Sequence, residues 1–194
     1  MTVGIQGGKG SFNEQAMQAL QERGDIEAEA SPHYLYTTQA TLKAVEDRSV
    51  EYGLLAIYNS KSQLVAESSA VIGHFLFDVV TSITIPIQHH MMMRPDKDVK
   101  DISSIMGHEE AFAQCTNSLK KRFPELKTNS GEGNLKDGAG VARALKDGQL
   151  PPTTAVLGSE VIATTFDLKV VASNLADDPH NTTTFLLVKN FQTS

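Results

Sequence analysis

Short apolar runs alternate with segments of helical period along the whole chain, and this alternation restricts the fold more than any other feature. Residues 3–5 (Val-Gly-Ile) and 53–57 read as short buried strands. Residues 79–85 are so rich in β-branched side chains that strand is favoured over helix. Residues 26–30 read as a further strand, as do 155–157, 169–171 and 183–188, and 75–93 form a β-rich segment interrupted at Pro86. Helical spacing covers 38–47, 109–122 and 137–146, with shorter helices over 64–72 and 161–165. The helix over 109–122 carries Ala111, Phe112, Cys115 and Leu119 on one face. Residues 128–136 and 177–181 read as loops. Strand and helix alternate throughout, so the fold class is α/β.

With 194 residues, the chain is long enough for one domain of moderate size or two small lobes. Its single cysteine, Cys115, excludes a disulfide framework and any cysteine-rich zinc site. A net charge of -6 without a basic stripe argues against nucleic-acid binding. No apolar run approaches the roughly 20 residues of a membrane helix, so no membrane association is expected. The N-terminus enters a strand-like run at once and shows no signal-peptide pattern, which makes a cytoplasmic location the expectation.

Three segments carry candidate chemistry. The first is Gln6-Gly7-Gly8-Lys9-Gly10-Ser11-Phe12, where glycines between a strand and a helix let backbone N–H groups approach an anion. It matches neither a Walker A loop nor a dinucleotide fingerprint, and reads equally as a turn capped by Ser11 with Glu14 reaching back. The second is Tyr58-Asn59-Ser60, at the carboxyl end of a buried strand, where open α/β sheets hold ligands; a polar turn is the alternative. The third is Asn181-Thr182-Thr183-Thr184-Phe185, whose threonines suit either a strand or a polarised hydroxyl. Other residues read as structural. Successive strand residues point to opposite faces, so His89 and His90 do not easily share a metal. Met91, Met92 and Met93 fit strand packing, Cys115 a buried helix face, and His108 a helix N-terminus.

In combination and in this order, these segments resemble the catalytic domain of the prephenate dehydratase family, over nearly the whole chain. The family's Gly-Pro-x-Gly-Thr-Phe-Ser-Glu loop is similar to residues 7–14, and its Pro-Ile-Glu-Asn-Ser motif to 56–60. Its Ile-x-His strand corresponds to 87–89, its His-x-x-Ala-x-x-Gln-Cys helix to 108–115, and its Asn-x-Thr-Arg-Phe motif to 181–185. The family's glutamate is here Tyr58, its arginine is Thr184, and its Ser-Thr pair opening a later helix is Asp137-Gly138. No counterpart of the family's ACT-type regulatory module follows in this sequence, so feedback by phenylalanine is not expected.

The resemblance implies a two-lobed fold of the periplasmic-binding-protein type 2 kind with an inter-lobe cleft. Lobe one would comprise about 1–76 plus 181–194, and lobe two about 77–180. It implies a lyase acting on prephenate, in which decarboxylation coupled to dehydration gives phenylpyruvate. Thr183 takes the position of the catalytic threonine, as proton donor or relay. Gly10, Ser11, Phe12, Tyr58, Asn59, Ser60, Thr184 and Phe185 take substrate-binding positions. Lys9 or Lys61 is expected to replace the charge of the arginine lost at Thr184. No metal or organic cofactor is implied, and a homo-oligomer is expected. Two alternatives stay open: a non-aromatising prephenate decarboxylase, suggested by Tyr58 and Thr184, and an inactive small-molecule-binding module.

Overall fold

The apolar run at residues 3–5 lies within β1 (Thr2–Ile5), flanked in its sheet by β2 (Ser31–Tyr34) and β3 (Tyr52–Asn59), both parallel to it. The structure, a computed structural model, describes residues 1–135 and 137–192. Lys136, at the end of the expected loop, and Thr193 and Ser194, at the end of the expected first lobe, lie outside the described residues. After β1 come α1 (Phe12–Arg23) and α2 (Thr38–Glu46). After β3 come β4 (Gln63–Leu64), α3 (Ala66–Val71) and β5 (Phe77–Pro86). The second half runs β6 (His90–Met93), β7 (Ser104–Met106), α4 (Glu109–Gln114), α5 (Thr116–Arg122) and β8 (Lys127–Asn129). It continues with α6 (Gly138–Lys146), β9 (Thr154–Gly158), α7 (Val161–Phe166) and β10 (Lys169–Ala172), and the final strand is β11 (Thr182–Asn190).

These elements fall into two units. The first holds residues 1–8, 12–86 and 181–192; the second holds 9–11 and 87–180. In the first unit the strand order is β2-β1-β3-β11-β5, with β4 paired to β3, and β11 runs antiparallel to both its neighbours. Val3, Ile5, Leu54, Leu55, Leu187 and Val188 are fully buried there. Each such side chain contributes about 1.5–3 kcal/mol of burial. Helix α1 ends at a glycine: Gly24 takes φ +80°, and the Gly24 and Asp25 amides donate to the Gln21 and Leu20 carbonyls.

In the second unit the order is β10-β6-β9-β7-β8. Strand β6 is apolar on both faces because both are covered. Met91 and Met93 pack with Ile105, Cys115 and Leu157, whereas Met92 packs on the other side with Val141, Leu145, Val156 and Ile162. Ser159 Oγ donates to the Gly10 carbonyl, and Gly10, at φ +86°, lies against Ile162. A side chain at residue 10 would be strained and would crowd Ile162, so glycine is required there.

Four expectations are corrected. Residues 26–30 are not a strand: Ala30 N–H donates to the Glu27 carbonyl in a turn, and the strand begins at Ser31. Pro32 is accommodated because β2 is an edge strand, where a missing N–H breaks no ladder. The single helix over 109–122 is two helices, broken at Cys115 (φ −119°, ψ 11°). The Asp177 carboxylate causes the second start, accepting from the Asn117 and Ser118 amides at 2.9 and 2.8 Å. The stretch 128–136 contains the end of β8 and a 3-10 turn at Gly133–Leu135 rather than loop alone. Finally, residues 77–86 belong with the first unit, because β5 pairs with β11, whereas 9–11 belong with the second.

Candidate active site

Strands β1, β2, β3 and β5 share one direction and β11 opposes them. One end of the first unit's sheet therefore gathers the carboxyl ends of β3 and β5 and the start of β11. Along β11, Thr183, Phe185 and Leu187 share the buried face, while Thr182, Thr184 and Leu186 face the other way. Thr183 pairs with Asn59 on one side and with Ile85 on the other.

An irregularity in β3 sets this pairing. Phe185 pairs with Ala56, but Thr184 pairs with Tyr58, leaving Ile57 as an extra residue. Without it, continuation of the register would put Tyr58 beside Thr183. With it, Asn59 takes that place and Tyr58 joins Thr184 on the opposite face. The bulge is held by polar side chains. Gln6 Oε1 accepts from the Ala56 amide at 3.0 Å, and Ser68 Oγ donates to the Ala56 carbonyl at 2.5 Å. Gln6 Nε2 in turn donates to Glu67 at 2.9 Å.

The cluster around Thr183 is buried and polar. Asn59 is 4% exposed, Thr183 8% and Asn181 1%. Asn59 Nδ2 donates to Thr183 Oγ1 at 2.9 Å, Asn181 Oδ1 at 2.9 Å and the Thr182 carbonyl at 3.0 Å. Asn59 Oδ1 accepts from the Lys61 and Ser62 amides at 2.8 and 3.1 Å, closing the turn that follows β3. Ser60 Oγ accepts from the Thr182 amide at 3.0 Å and donates to Asn181 Oδ1 at 3.4 Å. The arrangement presents one hydroxyl, Thr183, at the end of a buried sheet, fixed by amide chemistry and flanked by the apolar Ile85 and Phe185.

Of the residues singled out from sequence, Asn59, Ser60 and Thr183 come together. Phe185, 1% exposed, lies beneath them on the same face. Tyr58, 40% exposed, and Thr184 lie on the other face, where Thr184 Oγ1 hydrogen-bonds Thr84 Oγ1 at 2.8 Å. Strand alternation thus puts Thr184 and Tyr58 on the face opposite Thr183. Lys61 is exposed on the turn after Asn59. Phe12 opens α1 in the first unit; Lys9, Gly10 and Ser11 belong to the second. Asn181 and Gln6 stand inside two of the candidate segments, but the sequence assigned neither a role of its own. The available signal was a short polar residue opening, or just following, an otherwise apolar buried strand.

The residues read as structural have structural surroundings. His108 Nδ1 accepts from the Glu110 amide at 3.2 Å at the start of α4. His89 Nε2 and Gln114 Oε1 are 2.9 Å apart. Burial lowers the basicity of His89 and of His90, partly offset by Gln114 for the former and by Glu160 for the latter. Burial pushes the Cys115 thiol up to about 12, with Asp177 adding to the effect, so it carries no thiolate at neutral pH. Among the described residues no group of three or more His, Cys, Asp or Glu side chains is placed to hold a metal ion. Nor is any helix among them long and apolar enough to cross a membrane.

The family model described as prephenate dehydratase matches residues 3–193. A bifunctional chorismate mutase/prephenate dehydratase of Neisseria gonorrhoeae (strain ATCC 700825 / FA 1090) is 25% identical over 193 residues, covering 100% of this chain and 51% of that protein. An Arabidopsis thaliana protein named arogenate dehydratase/prephenate dehydratase 2, chloroplastic, is 26% identical over 186 residues, covering 96% of this chain and 45% of its own length. The chain thus spans about half the length of these curated relatives. The crystal structure of a prephenate dehydratase from Arthrobacter aurescens, in complex with L-Phe, superposes with a TM-score of 0.86 at 23% identity, covering 100% of this chain and 61% of that one. That likeness shows the fold, a mixed α/β chain with two sheets, in the α/β class that the sequence predicts.

Proposed function

The chain belongs to the prephenate dehydratase family, and on that footing we propose that it is a lyase that converts prephenate to phenylpyruvate. In this reaction the ring carboxylate leaves as carbon dioxide. The electron pair of its C–C bond enters the ring, the ring C–O bond breaks, and aromaticity is gained. The departing oxygen takes one proton and leaves as water. Aromatisation supplies the driving force, so the protein's tasks are to hold the dianion, orient the carboxylate for departure and meet the charge developing on the leaving oxygen.

The observation that carries this reading is the 2.9 Å contact between Asn59 Nδ2 and Thr183 Oγ1 at the end of the first unit's sheet. Thr183 is the group proposed to donate to the leaving oxygen, its proton being replaced from solvent. A free threonine hydroxyl is far too weak an acid for this at neutral pH, so it must be held and directed. Asn59 and Ser60 are already engaged within the unit, which favours a positioning role for both over contact with substrate. Lys61, on the turn built by Asn59, is the cation proposed to meet a substrate carboxylate in this unit. Phe185 and Ile85 keep water from the hydroxyl's apolar side.

A cytoplasmic location and a homo-oligomer belong to the same reading. Sedimentation giving only a monomer at assay concentration would remove the second. The activity itself is tested by incubating purified protein with prephenate and following the products by proton NMR. Aromatic phenylpyruvate signals are expected. Retained ring vinyl protons with carbon dioxide release, or no turnover, would contradict it. The same assay with arogenate separates the two activities in the Arabidopsis relative's name.

A further inference from the structure

We infer that Asn59 is a positioning residue that never meets the substrate and instead fixes the direction in which the Thr183 hydroxyl donates its proton. The inference rests on the role proposed above for Thr183. A carboxamide can be flipped, exchanging its donor and acceptor ends, and here the surroundings allow only one orientation. Two backbone amides, of Lys61 and Ser62, point at one end and require an oxygen there. Three oxygens, Asn181 Oδ1, the Thr182 carbonyl and Thr183 Oγ1, surround the other end and require an NH2. A flipped amide would set oxygen against oxygen at Asn181 and Thr182 and N–H against N–H at Lys61 and Ser62, with only the Thr183 hydroxyl able to turn and donate instead. Thr183 Oγ1 therefore always meets a donor on its Asn59 side. Its own hydrogen must turn away from Asn59, which leaves the hydroxyl a standing donor toward whatever lies beyond the sheet end.

The bulge at Ile57 and the turn after β3 serve this arrangement. The extra residue brings Asn59 rather than Tyr58 beside Thr183, and the turn amides lock the carboxamide. An aspartate at position 59 separates the two functions of the side chain. Its carboxylate still accepts from the Lys61 and Ser62 amides and so keeps the turn. Toward Thr183, however, it offers an acceptor, which recruits the hydroxyl hydrogen inward, and its oxygen also meets Asn181 Oδ1 and the Thr182 carbonyl, a cost that falls on stability and is read separately from turnover.

The test is steady-state kinetics with prephenate on the parent, Asn59→Asp, Thr183→Val and the double variant, with circular dichroism to confirm folding. The expected result for Asn59→Asp is a fall in kcat of tenfold or more, the order of one hydrogen bond in the transition state, with KM within about threefold of the parent because no substrate contact is lost. In the Thr183→Val background, Asn59→Asp should then cost nothing further, since it acts through the hydroxyl. A rise in KM at unchanged kcat, or the same kcat loss in both backgrounds, would overturn the inference. A second measurement does not depend on turnover. In 15N-labelled protein, Thr183→Val removes the acceptor of one Asn59 side-chain N–H, and that proton resonance is expected to move upfield while the amides of Lys61 and Ser62 stay in place. No movement of the Asn59 signal would overturn the inference, even if the protein proved inactive on prephenate. Inactivity of the parent with the NMR shift present would instead refute the proposed reaction while leaving the lock intact.

Discussion

A threonine between two others in a strand looks like β-propensity, and only its neighbours distinguish Thr183 from Thr182 and Thr184. Strand alternation puts Thr183 with Asn59 and Ile85, and Thr184 with Tyr58 and Thr84. This changes how the departure from the family pattern at Thr184 is understood. A side chain at 184 leaves the sheet on the face opposite Thr183, so the absence of arginine there removes no group from the Thr183 face. Restoring it should accordingly gain little. Thr184→Arg is expected to leave KM for prephenate within about twofold, whereas a tenfold lower KM, or about 1.4 kcal/mol of added binding, would show that the position faces the substrate after all. The family's Asn-x-Thr pattern is what singles out Thr183, and its role in the reaction is a proposal. That Asn59 and Ser60 are spent on internal hydrogen bonds was not, because a motif carries no information on what a side chain's donors and acceptors already meet.

At the scale of elements, the apolar runs and helical periods located most strands and helices, and what they missed has a common cause. The break at Cys115 is made by Asp177, a residue distant in sequence whose carboxylate caps α5, and the periodicity of 109–122 runs straight through it. The carboxylate is held below the ordinary range by the hydrogen bonds from Asn117 and Ser118, against the opposing effect of its desolvation. Asp177→Ala should lower stability by about 1 kcal/mol, the usual worth of an N-cap, read as a shift of the denaturant midpoint at unchanged slope. An unshifted midpoint would mean that α5 is held by Leu119 burial alone. The bulge in β3 was equally hidden. Its sequence, Ala56-Ile57-Tyr58, is ordinary strand, and only pairing with β11 and the reach of Gln6 and Ser68 reveal the extra residue. The strand expected at 26–30 lies instead at Ser31–Tyr34, at a sheet edge where Pro32 is tolerated.

For the molecule as a whole, the α/β class was legible and the division into units only partly so. The membership of β5 is decided by its pairing with β11, at the far end of the sequence, and not by any local signal. Sensitivity to acid is expected in the second unit. His89 and His90, both in the second unit, are buried and bind protons less readily than the ordinary histidine value of 6.5. The folded state therefore holds fewer protons than the unfolded chain once pH drops below that value. Their contribution to stability is fully present above pH 6.5 and is lost as the pH falls from there toward their lower folded values. Thermal melting should accordingly shift downward between pH 7.5 and 5.5, and a His89→Gln, His90→Gln double variant should flatten that dependence; an equal shift in parent and variant would assign it to other groups. The proposed reaction turns on one hydroxyl, that of Thr183, acting on the leaving oxygen of prephenate. Its most direct test is the rate of phenylpyruvate formation by Thr183→Ala beside the parent at saturating prephenate. The predicted outcome is a loss of about a hundredfold or more, the scale of a positioned proton donor, in a variant that still folds. Turnover close to that of the parent would contradict it.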